Sequence, residues 1–230
     1  MDFWSANFAT VNHHNDGIYL VKLRKRIMKN VFLLTLLLPF WGKTQISVQA
    51  YGGNKETEIL GIYNKDFSNK WNYFASGTIA YEYDSKKVNP EIYQNLNYGI
   101  GKNWGVSAGV HISNKDVMPS VGLAYGKEND ALGISIFPAF TYSTDAKEFG
   151  LGLYTLLEYT PKINERLNFY SMLIVESDFS FKKHQSSSQV IRLGLENKKK
   201  MQFGIGSTIS QTGSNFETDV NFGVFIGKKF

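Results

Sequence analysis

The stretch Val220–Phe230, VNFGVFIGKKF, decides how this chain is read. Val220, Phe222, Val224, Ile226 and Phe230 fall on one side of an extended backbone, and Asn221, Gly223, Phe225, Gly227 and Lys229 on the other. Successive side chains of a strand point to opposite faces, so this is a strand with one greasy face and one small or polar face. The pattern recurs upstream. Met201, Phe203, Ile205 and Ile209 oppose Gln202, Gly204, Gly206 and Thr208; Phe149, Leu151, Leu153 and Leu157 oppose Gly150, Gly152, Tyr154 and Glu158. Leu132, Ile134, Ile136 and Phe140 oppose Gly133, Ser135 and Thr141, and Trp104, Val106, Ala108, Val110 and Ile112 oppose Gly105, Ser107, Gly109 and His111. Short polar clusters separate these runs and predict strands at 45–52, 57–65, 70–83, 91–101, 104–113, 117–126, 131–142, 148–159, 166–177, 189–196, 201–211 and 216–230. The first two alternate poorly, so twelve strands is the expectation and ten the alternative.

The less apolar face decides the surrounding medium. A soluble barrel turns its apolar face inward and needs many charges on the other face. Here the other face is rich in Gly99, Gly105, Gly109, Gly122, Gly133, Gly150, Gly194, Gly204, Gly206 and Gly223, with Ser, Thr and Asn between them. That face suits an interior, where small residues let strands curve and leave space for Phe137, Tyr154 and Phe225. The greasy face then meets lipid, in which unpaired backbone groups cost several kcal/mol each, so the sheet has to close on itself. The expected fold is all-β, a closed antiparallel transmembrane β-barrel. Aromatic residues near the strand ends predict two interfacial girdles: Trp71, Trp104, Tyr125, Tyr159, Phe169 and Phe203 at one rim, and Tyr81, Tyr83, Tyr142 and Phe149 at the other. Tight turns at 101–103, 127–130 and 197–200 against longer loops at 84–90 and 178–188 predict one short-turn rim and one long-loop rim. Pro138, mid-strand on the greasy face, predicts a bulge or a local break.

The 230 residues hold 21 glycines, 15% aromatic residues and no cysteine, which excludes a disordered chain and a disulfide scaffold. Lys22–Asn30 is basic, Val31–Trp41 is apolar but shorter than the roughly 20 residues a spanning helix needs, and Gly42, Lys43 and Thr44 follow. This reads as a secretory signal peptide over 28–44, cleaved before Gln45, with Met28 as its start. Residues 1–27 are then an upstream extension with no part in export, and 45–230 form the barrel domain. The net charge of +5 sits almost wholly in the leader, since residues 45–230 carry 19 basic and 18 acidic side chains. No basic patch remains for nucleic acid.

With its signal peptide, amphipathic strands and terminal Phe230, the chain resembles the bacterial outer-membrane β-barrel proteins. The resemblance implies outer-membrane lipid as surroundings, and Phe230 as the residue by which the barrel-assembly machinery recognises the last strand. His111-Ile112-Ser113-Asn114 resembles the His-x-Ser-Asn motif of outer-membrane lipid hydrolases, which implies His111 as base and Ser113 as nucleophile. Period two puts both on one face, but Val106 and Val110 occupy the lipid-facing side, so His111 should look inward, away from a lipid substrate. His184, between lysines and a serine run, reads as a solvated loop residue; no metal-ligand cluster and no cofactor motif is seen. Glu82, Glu158, Arg192, Glu196, Asn95 and Asn97 are expected to line the lumen. The leading functional expectation is a passive channel or small-solute transporter, followed by a structural or surface-interaction barrel, with the lipid hydrolase last.

Overall fold

The computed structural model describes residues 44–230. Twelve strands follow in order: β1 (Thr44–Gly53), β2 (Glu56–Asp66), β3 (Trp71–Glu82), β4 (Val88–Gly99), β5 (Trp104–Ser113), β6 (Val117–Glu128), β7 (Leu132–Ser143), β8 (Glu148–Tyr159), β9 (Leu167–Ser180), β10 (His184–Asn197), β11 (Met201–Thr212) and β12 (Glu217–Lys229). Each pairs antiparallel with its neighbours in sequence, and β12 pairs with β1 to close the barrel. The expectation of twelve strands in a closed barrel is met. The signal peptide, its cleavage site and the 1–27 extension fall on or next to residues 1–43, which lie outside the described residues.

β1 and β2 alternate poorly in sequence for a physical reason. Tyr51, Leu60 and Ile62 are apolar yet point inward, at 1%, 2% and 9% exposure, so the polar–apolar contrast between faces is lost while the backbone pairing stays regular. Elsewhere the faces sort as expected. Val106, Val121, Leu151, Ile205, Phe222, Val224 and Ile226 lie on the exposed outer surface, whereas Phe137, Tyr154 and Phe225 are buried within.

One expectation needs correction. The connections do not divide into short turns on one rim and long loops on the other. At the rim where residues 44 and 230 lie, here the terminus rim, the connections are 67–70, 100–103, 129–131, 160–166 and 198–200. At the far rim they are 54–55, 83–87, 114–116, 144–147, 181–183 and 213–216, so the longest connection is on the terminus rim. The expected long loop 178–188 is mostly strand, because β9 and β10 keep pairing from Asp178↔Ser186 downward. Serines occupy both faces there, so hydropathy carries no period, but a backbone ladder requires none. Pro138 gives the local break that was one of its two expected outcomes, not the bulge. β6 and β7 hold one register from Ser120↔Thr141 to Glu128↔Gly133, and pairing lapses only around Pro138, which has no N–H to give. The bulge is instead at His184/Ser186.

Candidate functional site: the lumen

Halfway up the barrel the interior is packed. Phe74 meets Phe137 at 5.0 Å and Tyr154 at 5.4 Å between ring centroids, and Tyr93 stacks on Tyr154 at 4.4 Å. Tyr170 lies 5.7 Å from Phe225, and Leu60, Met172 and Ile174 fill the space between the two aromatic groups. Each such ring pair adds about 0.5–1.5 kcal/mol beyond burial of its area.

Arg192 lies in the same layer with none of its side chain exposed. Its Nη2 donates to Glu58 Oε1 at 3.1 Å, its Nη1 to the carbonyls of Ile191 and Ser207 at 3.1 Å, and its guanidinium sits 3.9 Å over the Tyr51 ring. Gly206, its partner across the ladder, makes room: a Cβ there would lie 2.6 Å from Arg192 Cδ.

Between this layer and the terminus rim is a cavity of about 940 Å³, floored by Phe74, Phe137 and Ile62 and walled by polar side chains. Asn97 Nδ2 donates to Asn72 Oδ1 at 3.0 Å, and Asn72 Nδ2 donates to Asn64 Oδ1 at 2.7 Å and Asp66 Oδ1 at 2.9 Å, an amide ladder across β2, β3 and β4. On the opposite wall Lys229 Nζ donates to Glu158 Oε1 at 2.9 Å, and Glu196 accepts from Lys200, Asn168 and Gln202 at 2.9, 3.2 and 3.0 Å. Asn95 is buried above this ladder, beside Gly109, where a Cβ would collide with the Asn95 amide oxygen. Of the residues expected in the lumen, Asn97, Glu158 and Glu196 line this cavity, Arg192 is in the packed layer, and Glu82 is at the far rim with Asn89 and Ser85 donating to it at 2.6 and 2.5 Å.

His111 and Ser113 share the inward face of β5 and meet different partners. The His111 ring stands edge-on to Tyr93, 6.4 Å away. Ser113 Oγ closes the 114–116 turn instead, accepting from the backbone N–H of Lys115 at 3.2 Å and of Asp116 at 3.1 Å. His184 is not a solvated loop residue. The bulge turns it to the outer surface, where it is 5% exposed, stacks on Phe216 at 4.2 Å and bonds the Gly213 carbonyl and Ser187 Oγ, each at 2.8 Å. A histidine between two lysines and a serine run gave no sign of this; Phe179, Gly213 and Phe216 meet it only in the folded barrel.

The outer surface carries two belts. Trp71 packs on Tyr98, and Trp104 on Tyr125, each at 4.9 Å, near the terminus rim. Tyr142 and Phe149 pair at 5.0 Å, and Tyr81 and Tyr83 at 6.3 Å, near the far rim. Between the belts the exposed positions are aliphatic or Phe, a surface no soluble monomer presents to water. No helix among the described residues is long and apolar enough to cross a membrane; the strands do so. This is a transmembrane β-barrel of the outer-membrane type.

No family model and no curated protein matches the chain. Among solved structures it is similar to the NanC porin, at 13% identity and a TM-score of 0.49 over 82% of this chain and 99% of that one. It is similar to the KdgM porin at 9% identity and a TM-score of 0.47, over 81% and 99%. LpxR from Salmonella typhimurium matches at 9% identity and a TM-score of 0.39, over 81% and 99%.

Proposed function

We propose that this barrel is a channel of the outer membrane for small solutes, shut at mid-height by its aromatic and ionic layer. The observation that supports it is the 940 Å³ polar-walled cavity reaching from the terminus rim to that layer. A barrel serving only as an anchor would gain stability by filling this space with side chains, as the middle layer does. The packed layer itself favours the second reading, a structural or surface-interaction barrel without transport. A lipid hydrolase fits poorly, because Ser113 Oγ is engaged by its turn and His111 faces Tyr93 within the barrel.

Planar-bilayer recording and a fatty-acid release assay on refolded protein separate the three readings. The expected result is small, intermittent single-channel conductance and no hydrolysis. A silent bilayer under all voltages and with layer-opening variants would leave the structural reading, and hydrolysis lost on Ser113→Ala would establish the enzyme.

A further inference from the structure

We propose that the terminus-side cavity is a binding site for small neutral polyhydroxylated solutes, sugar alcohols and monosaccharides being the type of occupant. The proposal rests on the channel reading and names its solute class, but binding does not require passage.

Size and charge set the first limits. At about 940 Å³ the cavity falls within the range of pockets that hold small organic molecules. Its lining is polar and yet electrically balanced, with five carboxylate side chains and five lysines. Two of the pairs are direct: Lys229 with Glu158 and Lys200 with Glu196, each at 2.9 Å. An entering ion would have to break such a pair or stay unpaired, and a wall without net sign draws ions of neither charge. A neutral solute meets neither obstacle.

The amide ladder supplies a second, independent observation. Asn72 Nδ2 uses both of its hydrogens, on Asn64 and Asp66, whereas Asn97 at the β4 end uses one, on Asn72 Oδ1. Asn97 lines the cavity and is 7% exposed, and its Oδ1 has no hydrogen-bond partner among the described residues. Buried polar atoms are nearly always bonded, so this oxygen points to a donor that the chain does not itself supply. One N–H and the oxygen of the same amide are therefore left for an occupant. That combination selects hydroxyls. A hydroxyl both donates and accepts, so neighbouring hydroxyls of a polyol meet the two atoms of an amide together, whereas an ammonium group only donates and a carboxylate only accepts. Across the cavity Glu158, its charge balanced by Lys229, adds an acceptor for a further hydroxyl.

The test is a saturation-transfer NMR titration at neutral pH with sorbitol, beside gluconate and glucamine as its anionic and cationic counterparts. The barrel is folded in a detergent without a sugar head group, as wild type, as Asn97→Ala, and as a Glu165→Gln control outside the cavity lining. Heat-modifiable gel mobility reports that each is folded; Asn97→Ser, which loses the amide but keeps a hydroxyl, replaces Asn97→Ala if that fails to fold. The expected result is saturable sorbitol binding, severalfold tighter than that of either ion. Either Asn97 variant should weaken it about fivefold, as loss of one hydrogen bond does, with Glu165→Gln unchanged. No saturable sorbitol binding, equal affinity in all variants, or gluconate or glucamine binding as tightly as sorbitol overturns the proposal. Planar-bilayer recording separates the two claims. Variant-sensitive sorbitol binding without conductance removes the channel and keeps the site, whereas conductance without sorbitol binding does the reverse.

Discussion

Gly206 has no side chain where Arg192 needs the space, and Arg192 in turn holds a carboxylate that would otherwise be stranded. Its guanidinium is fully buried, bonded to Glu58 and two carbonyls and seated on Tyr51. Neutralising it therefore acts on stability before selectivity. Arg192→Ala should lower unfolding stability by about 3–5 kcal/mol, because it leaves Glu58 buried and unpaired. Replacing both partners with apolar residues, as in Arg192→Met/Glu58→Leu, should recover most of that loss. Urea titration in lipid vesicles followed by tryptophan fluorescence measures both; equal losses in the single and double variants would show that the pair does not act as a unit.

At the level of elements, the last strand closes the barrel. β12 pairs with both β11 and β1, and the Phe230 N–H donates to the Ile46 carbonyl at 2.8 Å, so the terminal residue contributes to closure. Removing Phe230 should sharply reduce the yield of folded protein in the outer membrane, scored by heat-modifiable mobility of the membrane fraction. Residues 185–188, expected from sequence to lie in a long loop, belong to β10, and 186–188 pair with β9 and β11. Their deletion should also reduce yield, while deletion of 163–165 in the longest connection should not. Unchanged yield on losing 185–188 would mean that the ladder above the lipid zone adds nothing to assembly.

For the whole molecule, the question is whether the packed middle layer is a gate or a permanent core. It joins β1, β2, β3, β7, β8, β9 and β12 across the lumen through Tyr51, Leu60, Phe74, Phe137, Tyr154, Tyr170 and Phe225. If it is the barrier in a channel, Tyr154→Ala and Phe74→Ala should raise conductance severalfold over wild type, since each removes a ring between the terminus-side cavity and the far half of the lumen. Each should also lower stability by about 3–5 kcal/mol, as large-to-small changes in a packed core do. A stability loss with no change in current would identify the layer as core alone.

The sequence by itself favoured twelve strands over ten and determined the antiparallel order, the assignment of faces and the lipid surroundings. Period two is a property of neighbouring residues, and lipid acts on every outward position of Val106, Ile205 and Phe222 alike. The inward direction of Glu158, Arg192, Glu196, Asn95 and Asn97 follows from the same parity. Tertiary structure decided what these residues meet. That Arg192 reaches Glu58 from β10 to β2, that Tyr93 stacks on Tyr154, and that His184 is turned outward against Phe216 all depend on barrel closure, register and one bulge. Side chains separated by 134 residues or more in sequence, as Arg192 and Glu58 are, leave no periodic trace of their contact. The filling of the lumen was equally out of reach, because it depends on how seven strands place their rings at one height.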